Sequence, residues 1–307
     1  MDKLLTVLQT ALPVFLALGL GMLCRQKNFL TREGIDSLKK VVLNITLPAV
    51  LVHAFATAQY TSETALLPGL VFAVCCIMLL LGYGIVRICR IQSRLAAYLA
   101  SGFEAGMLGY ALFTLLFPNA PISEFAILDL GQTLFVFTLY KILLSGKRDI
   151  KAIGRDMATT PILWAVLAGL LLGATGLYSK MQEWGVSRVL DGITDFVSAP
   201  TAMMILLTVG YDLVPKEIPW KQTVGLIFLR LAAAAVGLGV IVLLNRTVLS
   251  GRIFEGAAIL LFLLPPPYVI PVFADEPSER VRISSALSAL TLVTMICFAL
   301  YSILSAV

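Results

Sequence analysis

Charge is scarce in this chain. Asp, Glu, Lys and Arg supply 13% of its 307 residues and hydrophobic residues 59%, where soluble domains run at about 25% and about 45–50%. Mean hydropathy is +0.94. So few charges cannot clothe a water-soluble surface of this size, which excludes an ordinary soluble domain. Histidine occurs once, at His53, so an HExxH zinc site, which needs two, is excluded. No GxSxG nucleophile elbow and no phosphate-binding GxxxxGK[ST] loop occur. Tyr211-Asp212 matches half of an intramembrane aspartyl protease signature, but its Gly-x-Gly-Asp partner is absent. No enzyme is expected. The five cysteines (Cys24, Cys75, Cys76, Cys89 and Cys297) are odd in number and contain no CxxC pair. Neither a disulfide framework nor a metal site follows from them. They read as small buried hydrophobes, and no cofactor is implied.

Apolar runs are what the chain has. Ten are near membrane-spanning length: residues 4–24, 40–58, 66–87, 95–117, 124–144, 159–178, 193–213, 222–244, 253–273 and 282–305. Connections are short, and no low-complexity tract or long linker intervenes. The first run is longer than a signal-peptide core and lacks an A-x-A site, so it reads as a retained span. The expected fold is an all-α polytopic membrane protein, in the plasma (inner) membrane. Most of the 23 basic residues fall in the odd-numbered connections. The positive-inside rule therefore puts those in the cytoplasm and both termini outside. The net charge of +5 then suits anionic lipid at the cytoplasmic face and calls for no nucleic acid.

Ten spans divide into five and five, and an odd-numbered repeat must run inverted on its second pass. The expected divisions are residues 1–146, a cytoplasmic connection 147–158, and 159–307. Thr46 and Pro48 in the second run are matched by Ser198 and Pro200 in the seventh, each followed by apolar residues.

Two runs are interrupted in ways lipid discourages. The fourth carries Ser101-Gly-Phe-Glu-Ala-Gly-Met-Leu-Gly-Tyr110, with three glycines and Glu104 near its middle. A carboxyl at the bilayer centre costs roughly 2.5–3.5 kcal/mol on insertion scales, and glycine weakens the helix. The ninth carries Leu264-Pro-Pro-Pro-Tyr-Val-Ile-Pro271, whose three consecutive prolines stop a regular helix. Opened backbone at membrane depth must be enclosed by protein or face a water-filled cavity. Broken spans at matching places in two halves point to the site of a secondary transporter.

At these residues the chain resembles the auxin efflux carrier family. Leu47-Pro-Ala-Val-Leu-Val is similar to the family's Leu-Pro-Ala segment, and Glu104-Ala-Gly-Met-Leu-Gly109 to its Asn-x-Gly-x-x-Gly crossover. Asp129-Leu-Gly-Gln132 resembles an Asp-x-Gly-Asn pattern, and Val209-Gly-Tyr-Asp-Leu213 an Ile-Gly-x-x-Leu ending. Pro265 and Ala274 fall on the proline and closing alanine of the second crossover. The resemblance implies two inverted five-helix repeats, with helices 4 and 9 unwound and crossing at mid-membrane, and a scaffold bundle beside a moving one. It also implies transport of small organic anions. Three positions depart: Glu104 replaces the crossover Asn, Ala111 a proline, and Val269 an Asn.

The candidate site follows. Glu104 is the sharpest residue, able to carry a proton or bind a cation in step with substrate. Asp129 and Gln132, three apart on one helix face, are further coupling candidates. Substrate-binding candidates are Glu104, Gly106, Asn44, Pro265, Tyr268 and Arg230, with half-helix N-termini as positive ends for a carboxylate. Arg230 has competing readings, as a carboxylate anchor or as a side chain snorkelling to the cytoplasmic face. Ser284, Ser285 and Ser288 read as helix-packing residues, and His53 as an interhelical donor. The expected activity is proton-linked transport of an organic anion by alternating access. A sodium-coupled symporter of bile-acid-symporter architecture and an uncoupled facilitator or channel are the alternatives. Proton or sodium, lipid, and a second copy in a homodimer are the other partners considered.

Overall fold

An unpaired backbone N–H or C=O in lipid costs several kcal/mol, so apolar runs must close their hydrogen bonds internally as helices. The computed structural model describes residues 2–61, 64–145, 155, 158–214, 218–249, 251–274 and 276–305, and among these there is no strand. The helices are α1 (Asp2–Gln26), α2 (Arg32–Ala56), α3 (Leu67–Ile88), α4 (Ala105–Leu116), α5 (Ile122–Leu144), α6 (Pro161–Ala174), α7 (Leu177–Glu183), α8 (Ser187–Asp212), α9 (Trp220–Thr247), α10 (Glu255–Leu263) and α11 (Pro277–Ser305). Short 3-10 turns at Ala96–Ala100 and Ile270–Phe273 accompany them.

Six helical stretches are long and apolar enough to cross a bilayer: α2, α3, α5, α8, Thr223–Thr247 of α9 and Pro277–Ile303 of α11. A seventh arises if α6 and α7, bent by 65° at their junction, form one span. That bend was not expected from the apolar run 159–178. Its cause is local: Gly176 adopts φ +69 between the two helices, a left-handed conformation that ends α6. The expected connection 147–158 lies outside the described residues apart from Arg155 and Ala158.

The chain divides into two compact units, each drawing on both its N-terminal and C-terminal halves. The first comprises Met1–Ala65, Gly106–Ile127 and Gly154–Asp212, the second Leu66–Ala105, Leu128–Ile153 and Leu213–Val307. In the first unit, α1 packs along the latter part of α8, and α2 packs along α6. These helices approach at small residues, the usual device where lipid supplies no hydrophobic drive to association. A Cβ added at Gly21 would strike the Leu207 carbonyl, one at Gly210 the Leu18 carbonyl, and one at Gly169 the Phe55 side chain and Val52 carbonyl.

The second unit packs α3 against α9, with the Ala96–Ala100 turn touching both. Its core holds Leu95, Leu99, Phe135, Tyr140, Leu261 and Phe298, all nearly or fully buried. Tyr98 stands edge-on to both Tyr83 and Tyr140, a favoured aromatic geometry. This packing holds the two interrupted segments.

Candidate functional site

Both breaks fall in the second unit. The first runs from the end of the Ala96–Ala100 turn to the start of α4. Ser101 is extended (φ −132, ψ 165) and Gly102 left-handed (φ +73). The second begins where α10 ends at Leu263, with Leu264 in a polyproline-like conformation (φ −64, ψ 150). Pro265, Pro266, Pro267 and Pro271 have no N–H to donate, so only the four-residue turn Ile270–Phe273 follows. The two expected half-helix N-termini are therefore unequal. The first break opens into the twelve-residue α4, the second into a single 3-10 turn.

The two segments are bonded to each other. The Glu104 backbone N–H donates to the Pro265 carbonyl at 2.9 Å. The Tyr268 backbone N–H donates back to the Glu104 carboxylate, Oε2, at 2.7 Å. A hydrogen bond to such an acceptor is worth about 0.5–1.5 kcal/mol net when it is neutral and roughly 1.5–3 kcal/mol when it is ionised, so the carboxyl group is part of the junction in either form. Close approach is possible because residue 102 is glycine: an added Cβ would lie 2.9 Å from Pro267 Cγ. Sequence and geometry meet at one point. The left-handed turn and the proline ring both demand that glycine.

Buried backbone groups freed by a break need partners, and side chains of the second unit supply them. Gln132 Oε1 accepts the Phe103 N–H at 3.3 Å, while its amide nitrogen donates to Asp129 Oδ1 at 2.7 Å. Thr133 Oγ1 donates to the same carboxylate oxygen at 3.3 Å. Gln132 and Asp129 thus lie one bond and two bonds behind the first break, both buried. Tyr140 Oη donates to the Tyr98 carbonyl at 2.8 Å and Thr294 Oγ1 to the Leu263 carbonyl at 2.6 Å. Arg230 reaches both breaks: Nη1 donates to the Ala100 carbonyl at 3.1 Å and Nη2 to the Leu264 carbonyl at 2.7 Å. Its guanidinium carbon stands 4.8 Å over the Phe103 ring. Arg230 is only 2% exposed, so it does not snorkel, and no carboxylate pairs with it among the described residues.

Glu104 and Tyr268 remain partly exposed, and the Tyr268 hydroxyl lies 2.9 Å from Thr291 Oγ1. The structure thereby brings together Glu104, Pro265, Tyr268, Arg230, Asp129 and Gln132. Asn44 and Gly106 belong to the first unit. Asn44 Nδ2 donates to the Lys40 carbonyl at 2.7 Å, within its own helix, and Gly106 faces Leu47 at a distance where a Cβ would meet Cδ2 at 3.4 Å. Tyr140 and Thr294 were missed by sequence reading. A threonine in an apolar run ordinarily bonds a carbonyl one turn back in its own helix, and a buried tyrosine hydroxyl needs a distant partner that the string does not name, so nothing marks the two that reach the breaks.

The first unit has a cavity of about 290 Å³ lined by His53, Tyr110, Thr114, Asp195, Ser198 and Thr201 among others. His53 Nδ1 is 3.5 Å from Asp191 Oδ1, long for a hydrogen bond, and Asp191 already accepts from the Tyr178 hydroxyl at 2.8 Å. Asp212, the acid of the protease half-signature, is held by Arg32 and Lys39 at 2.5 Å each. That is an ion-pair role at a helix end. No group of three or more His, Cys, Asp or Glu side chains suited to a metal occurs among the described residues.

An all-helical chain with several membrane-length apolar helices, and two breaks bonded through a carboxylate, has the features of a membrane transporter. The family model described as membrane transport protein, the auxin efflux carrier domain, matches residues 6–160. The chain belongs to this family. A search of curated proteins finds no match.

Proposed function

We propose that the chain moves a small organic anion, a carboxylate, across the plasma (inner) membrane by alternating access at the two joined breaks, linked to a proton at Glu104. In this reading there are ten spans in two inverted five-helix repeats, with both termini outside. The bent pair, the shorter apolar stretch of α1 and the two broken segments complete the count begun by the six long helices. The paired Thr46/Pro48 and Ser198/Pro200 support the inversion.

The observation that carries the proposal is the junction itself. One partly exposed carboxylate belongs to the first break and accepts a backbone N–H of the second. A substrate carboxylate arriving within about 4 Å of an ionised Glu104 meets a repulsion on the order of 4 kcal/mol at an effective dielectric constant near 20. Proton uptake by Glu104 removes that repulsion, so anion and proton bind more favourably together than separately. The same proton changes the acceptor offered to the Tyr268 N–H, which ties occupancy of the site to the geometry of the breaks. Tyr268 completes the proposed lining beside Glu104 in the second unit, while Gly106 and Asn44 stand as substrate-binding candidates of the first unit.

The test is uptake of a panel of mono- and dicarboxylates into proteoliposomes across pH, for the native chain and Glu104→Gln. Native flux is expected to follow an imposed pH gradient, and the variant to lose that response. Unchanged rate and pH dependence in Glu104→Gln refute the coupling role. Sodium-stimulated uptake favours the symporter alternative, and flux that does not saturate favours a channel.

A further inference from the structure

The carbonyl ends of two helical segments converge on a single guanidinium. Ala100 closes the Ala96–Ala100 turn and Leu264 closes α10, so each presents a carbonyl at the negative end of its segment. In secondary transporters such loosened carbonyls at half-helix C-terminal ends are cation ligands. Here both are occupied by the two terminal nitrogens of Arg230. The side chain is 2% exposed and rests on the Phe103 ring, with no carboxylate to neutralise it among the described residues. Its Nε is buried without a partner, so it is placed to suit the two carbonyls and not its own full hydrogen-bonding capacity.

We infer that Arg230 is a tethered cation: its guanidinium fills the site that the two carbonyl ends would otherwise offer to a free monovalent cation, and it fixes the spacing of the breaks. A planar fork can bond one carbonyl on each segment simultaneously. A lysine ammonium, a single point on a longer flexible stem, cannot reproduce that bridge. Sodium is therefore not a ligand of this junction in the native chain, and Arg230 is a positioning residue that does not contact substrate.

The test uses the full-length purified protein without substrate at fixed pH, which separates it from the proton-linked reading: that reading can fail on Glu104→Gln while this one stands. Thermal unfolding is followed for the native chain, Arg230→Ala and Arg230→Lys in sodium, potassium, N-methylglucamine and millimolar guanidinium chlorides. The native chain is expected to show no sodium-specific shift. Arg230→Ala is expected to unfold at lower temperature and to recover saturably with guanidinium or a small alkali cation, but not with bulky N-methylglucamine. Arg230→Lys is expected to recover only part of the loss without added cation. An Arg230→Ala loss that no cation restores, or no loss at all, overturns the proposal. So does saturable sodium stabilisation of the native chain, which remains measurable even if both variants fail to fold.

Discussion

Replacing Gly102 with alanine tests the junction at its tightest point. The residue has φ +73, and an ideal Cβ there would lie 2.9 Å from Pro267 Cγ and 3.0 Å from Cδ. The backbone term is about 1–2 kcal/mol for an L-residue in the left-handed region. The contact term adds about 1–3 kcal/mol, as for overpacking elsewhere, because carbons prefer roughly 3.5–4.0 Å and a proline ring cannot rotate aside. The sum is about 2–5 kcal/mol, a fall in Tm of roughly 4–20 °C at about 2–4 °C per kcal/mol. Gly176 provides the control: its φ is +69, yet nothing lies within 4 Å of its would-be Cβ. Gly176→Ala should therefore show the backbone term alone. Pro267→Ala in the Gly102→Ala background should return the contact term and leave the backbone term, a coupling that a double-mutant cycle isolates. Thermal unfolding by intrinsic fluorescence reads the native chain, these three variants and Pro267→Ala alone, which closes the cycle. Equal losses for Gly102→Ala and Gly176→Ala, or no coupling to Pro267, would show that the breaks do not meet as described.

Gln132→Leu removes the acceptor of the Phe103 N–H and a donor to Asp129, so it should cost about 1–3 kcal/mol for groups left buried and unpaired. Asp129→Asn keeps an acceptor for Gln132 and should cost less; the reverse order in thermal unfolding counts against the relay. Asp212→Asn weakens pairs with Arg32 and Lys39, which have side-chain exposures of 57% and 24%. About 1 kcal/mol or less, shrinking with added salt, is expected, with transport retained. Abolished flux in a folded Asp212→Asn protein would give that acid a role beyond ion pairing.

Much of the site was legible in the string because lipid is an unforgiving solvent. Glu104 among glycines and three prolines inside an apolar run contradict a continuous helix on elementary grounds. Both breaks stand where those residues put them. Asp129 and Gln132 were marked as polar groups on one face, and they do form one chain of bonds. The partners of that chain were less visible. Arg230 announced itself as a buried charge needing an answer, but carbonyls of residues 130 and 34 positions away answer it, not a carboxylate. The bend at Gly176 was hidden because a glycine followed by apolar residues also suits a continuous span.

By itself, the amino-acid sequence determined that this chain lives in a membrane, where its helices are interrupted, and which ionisable groups lie in those interruptions. All three follow from local chemistry: hydropathy, the missing N–H of proline, and the cost of charge in lipid. Only the tertiary structure decided that the two interruptions are bonded to each other, that Glu104 accepts from Tyr268, and that one guanidinium serves both carbonyl ends. Those facts depend on groups as far apart as 164 positions in sequence meeting in space. A freed backbone group states that it needs a partner but not which one, and packing makes the choice.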